Sequence, residues 1–384
     1  MTTTVTKSVT PTGGGDYTSL NSFDLGESTN LVTSDKIMVA EVHSGGNCIT
    51  TAYGPVGWTT SDVNYLEIKA ATGHQHNGIW STSKAYAQWG NTPADPPIAV
   101  NMAGFRIRGM QIKTTDSYNA LRIQITGTGG KRGIVDSCLV FGGDWRGALY
   151  FEGSGTDFGV IKNTLVVNDN DGQQAVGIRV VGGLGTPATK LKILNCTVIM
   201  ALGGGEDITA IRTSNQVENL TTQNCYLRGV HCYVNEGGFS NLNKGDHDAT
   251  CNNEAVTPAL RNITADASTF ADPNNYDFHL ITSSPLKDTG VDLSGGTGEE
   301  AVTYDWTGTS RPQGPAFDIG ADEYPFTPIC WNYTAKFKGS KKLFKTSGGG
   351  TFPKNLRVPG NVDKRTGKMI DDGQEIDPDH YEVF

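Results

Sequence analysis

Five stretches of the chain carry one short pattern: GMQIK at 109–113, SCLVF at 137–141, NTLVV at 163–167, NCTVI at 195–199 and NCYLR at 224–228, at spacings of 28, 26, 32 and 29 residues. A unit recurring at this period cannot bury its apolar face alone and must stack on its neighbours, which is how a solenoid is built. The second and fourth residues of each copy form two rows, Met110, Cys138, Thr164, Cys196, Cys225 and Ile112, Val140, Val166, Val198, Leu227. Strand side chains alternate, so both rows are expected to face inward. A second set, NALRI at 119–123, GALYF at 147–151, VGIRV at 176–180 and TAIRT at 209–213, recurs at 28, 29 and 33 residues. Each coil therefore holds at least two strands.

The 384 residues fit one long solenoid, which grows without splitting into domains. Glycine numbers 49, and the short apolar runs are bounded by Gly, Asn, Asp and Thr, so the chain reads as all-β. The formal charge of −9 is unsuited to a general nucleic-acid binder, which needs a basic face. No apolar run reaches the roughly 18 residues that cross a bilayer, and MTTTVTKSVTPTGGGDY lacks the apolar centre of a secretory signal. Three of the seven cysteines fall on the inward row, where free thiols serve as small core residues. Cys196 and Cys225, in adjacent coils, also stand near bridging range.

Residues 1–45 read as an N-terminal cap region, with DYTSLNSFDLG at 16–26 as a short amphipathic helix or turn before the strand KIMVAEV. Residues 46–325 read as the solenoid body. Within it, ITTAY, YLEIKA and IAVNM are taken as strands, and TGHQHNGIWSTSKAYAQW as a long turn or side loop. Residues 326–384 differ in composition: 326–368 hold ten Lys or Arg and one acid, whereas 369–384 hold six acids and no Lys or Arg. The rest of the chain has 21 basic and 33 acidic residues, a balance of −12. This segment reads as an extended docking strap, its candidate contacts being Lys336, Lys338, Lys341, Lys342, Arg357, Lys364 and Arg365. The alternative is a solvated tail.

SSPLKDTG at 283–290, RP at 311–312 and DIGADEY at 318–324 resemble the terminal signature of right-handed parallel β-helix proteins of the pectate-lyase-like superfamily. With the coil repeats, the resemblance covers about residues 15 to 325. It implies fold more than function, because the superfamily includes polysaccharide lyases and hydrolases, adhesins and phage tail and virion proteins. GGGDYTSL, near the start, also resembles phage-encoded β-helix proteins.

Two constellations carry the functional reading. Arg122, Tyr150, Arg179 and Arg212 occupy equivalent positions in successive coils, with His231 as a further member, and point outward as a stripe suited to a carboxylated or sulfated glycan or a subunit contact. Asp144, Asp169, Asp171, Glu206 and Asp207 follow the core strands along one edge, where paired carboxylates act as acid and base or bind calcium. A solvated face with local acid partners is the alternative for the arginines, and turn chemistry is the alternative for the acids. Asn163, Asn195, Asn224 and Asn262, just before core strands, suit left-handed corners.

The NTD, paired Asp, GH and RIK elements of polygalacturonase-like members are not matched: NTL at 163–165 lacks the Asp, no GH follows it in the coil region, and RIR at 106–108 precedes the candidates. His74 and His76 have no matching metal-ligand pair, and no P-loop, GxSxG or CxxC is present. The expectation is a non-enzymatic structural or receptor-facing protein of a phage particle. It is expected to be homo-oligomeric, to need no cofactor or metal, and to contact other virion proteins, copies of itself or an anionic cell-surface glycan. The rival is a carbohydrate-active enzyme, a lyase or glycoside hydrolase using the acidic edge; a secreted, extracellular adhesin is third.

Overall fold

The computed structural model describes residues 2–90, 96–115, 119–125, 132–143, 146–153, 158–169, 175–182, 190–200, 208–214, 217, 219–236, 242–243, 248–250 and 269–325, and the strand residues 334–338, 341–345, 370–371 and 374–375. Residues 1–325 form a right-handed parallel β-solenoid of about six turns. Each regular coil holds three strands. The GMQIK-type strands make a seven-stranded second sheet, from Tyr86–Trp89 to Ala249–Thr250. The NALRI-type strands make a six-stranded third sheet, from Ile98–Asn101 to His231–Asn235. A further set, including Phe105–Arg108, Arg132–Asp136 and Lys190–Leu194, belongs to a nine-stranded first sheet that begins at Thr3–Val9.

A tight corner joins the first sheet to the second. Its first residue is Gly109, Ser137, Asn163, Asn195 or Asn224, all left-handed with φ between 47° and 64°. Glycine adopts this region freely, and asparagine tolerates it better than most residues. The next residue turns inward: Met110, Cys138, Thr164, Cys196 and Cys225 are fully buried. Ile112, Val140, Val166, Val198 and Leu227 follow in register and are equally buried. Both predicted rows are therefore inward. The described cysteines, Cys48, Cys138, Cys196, Cys225 and Cys232, are buried free thiols. Asn262 lies outside the described residues.

At the N-terminus Ser19 caps the helix Leu20–Glu27 through a reciprocal box with Ser22, and Leu20, Phe23 and Leu31 plug the core. The polar stretch Thr3–Val9, unremarkable in sequence, is a strand paired with Lys36–Val42. ITTAY is not a strand; only Tyr53 makes an isolated bridge, to Ile98. The aromatic insert contributes the strand Tyr86–Trp89.

The closing passage does more than end the stack. It runs back along the outside of the coils as a belt. Leu139, Phe141, Leu165, Val167, Ile199 and Tyr226, on the outer face of the second sheet, are buried with Phe270, Phe278, Leu280, Leu286, Trp306, Ile319 and Ala321. Ile134, Val160 and Leu194 of the first sheet are sealed by Val302 and Phe317. Near its middle, Glu299 pairs with Arg106 and Arg108 at 2.5 and 2.6 Å, and Glu300 with Lys192 at 2.6 Å.

The corner asparagines hold the belt. Asn195 donates to the Asp318 and Gly320 carbonyls at 3.0 and 3.3 Å, and Asn224 exchanges two hydrogen bonds with the backbone of Val291. Coil-to-coil bonding is represented by Asn224 Nδ2 to Asn195 Oδ1 at 3.3 Å. Within DIGADEY, Gly320 stands at φ 104°, and a Cβ there would meet Thr197 Oγ1 at 2.7 Å. The passage is thus fixed by the coils it covers.

Residues 326–384 form a separate unit. In it Thr334–Lys338 pairs antiparallel with Lys341–Lys345, and Ile370–Asp371 with Gln374–Glu375. Lys336, Lys338, Lys341 and Lys342 fall on the first of these hairpins, whereas Arg357, Lys364 and Arg365 lie outside the described residues.

Candidate recognition face

The third sheet places Arg122, Tyr150, Arg179 and Arg212 opposite one another on successive strands, a ladder that begins at Ala99 and ends at Val234. His231 does not belong to it. The connection from the second sheet is short in that coil, so His231 pairs with Thr209 and Val234 takes the arginine position. The flanking Leu121, Ile123, Leu149, Phe151, Ile178 and Val180 are fully buried, which turns the ladder outward by alternation.

Like charges at inter-strand spacing repel, and the protein offsets this with carboxylates and an aromatic ring. Arg122 Nη2 lies 3.9 Å from Glu152 and donates to Gln124 at 3.3 Å, with its guanidinium 5.4 Å from the centre of the Tyr150 ring. Tyr150 in turn donates to Glu152 at 3.2 Å. Burial, followed by the Glu152 carboxylate, pushes the Tyr150 phenol up to about 12, so it remains a donor at neutral pH. Arg179 and Arg212 share Glu236, at 3.6 and 3.2 Å. Exposure falls along the ladder, the side chains of Arg122, Arg179 and Arg212 being 42%, 15% and 5% accessible. Arg122 is accordingly the arginine open to a planar anion, which a guanidinium grips through two parallel N–H groups.

Glu152 and Glu236 escaped the sequence reading. Glu152 could have been found, since it stands two residues after Tyr150 and so shares its face. Glu236 follows an irregular coil whose register the repeat did not reveal.

Of the acidic edge, Asp169 is described; it is exposed and accepts a hydrogen bond from the Tyr276 hydroxyl at 2.9 Å. Asp144, Asp171, Glu206 and Asp207 lie outside the described residues. Among the described residues no group of three or more His, Cys, Asp or Glu is placed to hold a metal ion. His74 Nδ1 receives the backbone N–H of Ser44 at 3.0 Å. His76 is buried, and its Nε2 meets the Ser137 carbonyl at 2.6 Å while Nδ1 accepts from Gly78. Burial holds it down to about 4, so it pins the insert to the coils as a neutral ring. Among the described residues no helix is long and apolar enough to cross a membrane.

No protein-family model matches the chain. No curated protein sequence matches it. Among solved structures it is similar to the pectin methylesterase from Aspergillus niger, at 12% identity over 70% of this chain and 92% of that one, with a TM-score of 0.36. It is also similar to a pectate lyase, at 12% identity over 84% and 97% of the two chains, with a TM-score of 0.28. Likeness at this level carries nothing about activity, and the fold stands on the strand pairing described above.

Proposed function

We propose that this chain is a non-enzymatic structural protein with a glycan-facing surface, carried on a particle of the phage type. The third sheet is its recognition face, and residues 326–384 join it to further copies or to other particle proteins. The observation that carries the reading is the contrast between faces. The belt occupies apolar outer surfaces of the first two sheets, while the third presents Arg122, Tyr150 and Glu152 to solvent in a rigid ladder. The exposed Arg122 guanidinium suits one carboxylate or sulfate group of such a glycan, which it can grip through two parallel N–H groups. The likeness of GGGDYTSL to phage-encoded proteins makes a virion the first assembly to test.

The experiment measures binding of uronic-acid and sulfated oligosaccharides by calorimetry, together with any release of reducing ends or unsaturated uronide. Binding without cleavage, weakened about tenfold by Arg122→Ala, is the expected result. Cleavage that disappears in Asp169→Asn or Glu206→Gln would replace this reading with a carbohydrate-active enzyme. Stoichiometric copies in purified particles would support the structural assignment, and absence from them would remove it.

A further inference from the structure

Apart from the arginine ladder and the C-terminal unit, we infer that the strand Thr3–Val9 is a self-association edge, to which the same strand of a second copy of this chain adds in antiparallel pairing. This strand ends the first sheet, with Lys36–Val42 as its neighbour on one side. The other two sheets are closed at this end. The Cys48 N–H donates to the Tyr86 carbonyl at 3.0 Å, and Tyr53 covers the strand Ile98–Asn101 by donating to the Pro97 carbonyl at 2.9 Å and accepting from the Ala99 N–H at 2.8 Å. In the first sheet, backbone direction shows how much is open. The Thr3 N–H donates to the Asp35 carbonyl and the Val9 carbonyl accepts from His43, so the odd-numbered residues from Thr3 to Val9 bond to the neighbouring strand. Ser8 turns the other way: its N–H donates to Asp16 at 2.8 Å and its carbonyl accepts from Tyr17 at 3.0 Å. Alternation sends the N–H and C=O of Thr4 and Thr6 outward like those of Ser8, and both residues are exposed.

Folded proteins blunt such edges with proline, a bulge or outward charge. Here residues 3–9 hold no proline and pair without a bulge, and the one charge, Lys7, is drawn to Glu27 at 3.2 Å. The occupant follows from that chemistry. The acids beside the edge are already engaged, Asp16 by Ser8 and Glu27 by Lys7 and Tyr17, so a basic segment finds no open counter-charge. A neutral run of threonines does not repel its own copy, and a twofold axis makes the pairing antiparallel. Centred on Thr4, the pairing sets Thr4 against Thr4 and Thr6 against Thr2 of the second copy, and stops short of the closed Ser8. The same end carries four of the five large apolar side chains exposed among the described residues: Leu25, Val32, Val56 and Val63, at 85%, 45%, 66% and 59%. Val32 stands in the short helix Leu31–Ser34, directly before the Asp35 that holds Thr2 and Thr3, so apolar surface adjoins the start of the edge.

The test follows amide hydrogen exchange over residues 2–8 of the full-length chain up to about 200 μM, with sedimentation velocity alongside, a range that captures micromolar pairing. Exchange of the Thr4 and Thr6 amides is expected to slow about tenfold as the chain associates. Thr6→Pro removes an outward N–H without touching the bonds to Lys36–Val42, and Thr4→Lys sets two cations opposite each other. Each should abolish the slowing, and an equimolar mixture of Thr4→Lys and Thr4→Glu should restore it. Exchange that is independent of concentration overturns the inference. So does slowing that survives in Thr4→Lys, or a mixture of the lysine and glutamate variants no better than either alone. Association through residues 326–384 slows no exchange at Thr4 and Thr6, and its failure leaves this test unaffected, so the two proposals fall separately.

Discussion

Replacing Arg311 with alanine should expose how much the belt contributes to the solenoid. The Arg311 side chain is 0% exposed and its partner Glu323 1%, with Nη1 to Oε2 at 2.9 Å. The same guanidinium donates to the carbonyls of Asp318, Gly320 and Ala321 at 3.2, 3.0 and 2.8 Å. Truncation strands a buried carboxylate and three buried carbonyls together. Breaking a buried pair by removing one partner costs about 3–5 kcal/mol, and the extra carbonyls place this case toward the upper end. That is a large part of the roughly 5–15 kcal/mol that stabilises an ordinary folded chain. Glu323 accepts from the backbone N–H of Gln313 on Oε1 at 2.8 Å and from that of Asp318 on Oε2 at 3.1 Å, so an amide in its place sheds the charge while keeping an acceptor for one of the two donors. Arg311→Ala with Glu323→Gln should accordingly recover about 1–2 kcal/mol relative to Arg311→Ala. Urea unfolding followed by circular dichroism measures both, and limited proteolysis reports whether the belt lifts first. A loss below about 1 kcal/mol, or a double variant no better than the single one, would refute the reasoning.

Three further outcomes are expected. Val166→Asp places a carboxylate between Val140 and Val198 in a fully buried row and should cost about 4 kcal/mol or more in urea unfolding, whereas a loss under about 1 kcal/mol would remove that row from the core. Because the His76 ring titrates near 4 in the folded protein but near 6.5 in an unfolded chain, protons bind the unfolded state first as pH falls. Stability should decline by about 3 kcal/mol between pH 6.5 and 4 on this account, and stability curves that keep the same slope in His76→Gln would sink it. Cys48, Cys138, Cys196, Cys225 and Cys232 should resist a thiol reagent in the native state and react after denaturation; failure of these to react would reveal disulfides.

The inward rows and the corners were legible because a solenoid repeats the same local solution in every coil. Thus Val140, Val166 and Val198 could be assigned from spacing, and Asn163, Asn195 and Asn224 from their place before each core strand. The belt was recognisable by its motifs but not by its position, since which surface a chain returns to depends on contacts far apart in sequence. A hint was present. Leu139, Phe141, Leu165, Val167 and Ile199 make the second-sheet strands apolar on both faces, the composition of a sheet covered on both sides. Glu299 gave no such hint, because its meaning comes from Arg106 and Arg108 almost two hundred residues earlier. On the third sheet the arginines were readable as a periodic set, whereas Glu236 was not, since its coil departs from the period.

The belt also sets a rule of length. It is anchored at Arg106 and Arg108 through Glu299, at Lys192 through Glu300, and at Asn195 and Asn224 through its backbone. These anchors sit on coils a fixed number of inter-strand steps apart, so the belt gauges the stack as a ruler does. Duplicating or deleting one coil between residues 105 and 228 would slide one anchor past its partner by a whole step of about 4.8 Å, too far for an ion pair or hydrogen bond to follow. Solenoids ordinarily lengthen by copying coils. Here such copying is penalised within the belted stretch, so lineages of this fold should keep the coil count constant between Phe105 and Arg228.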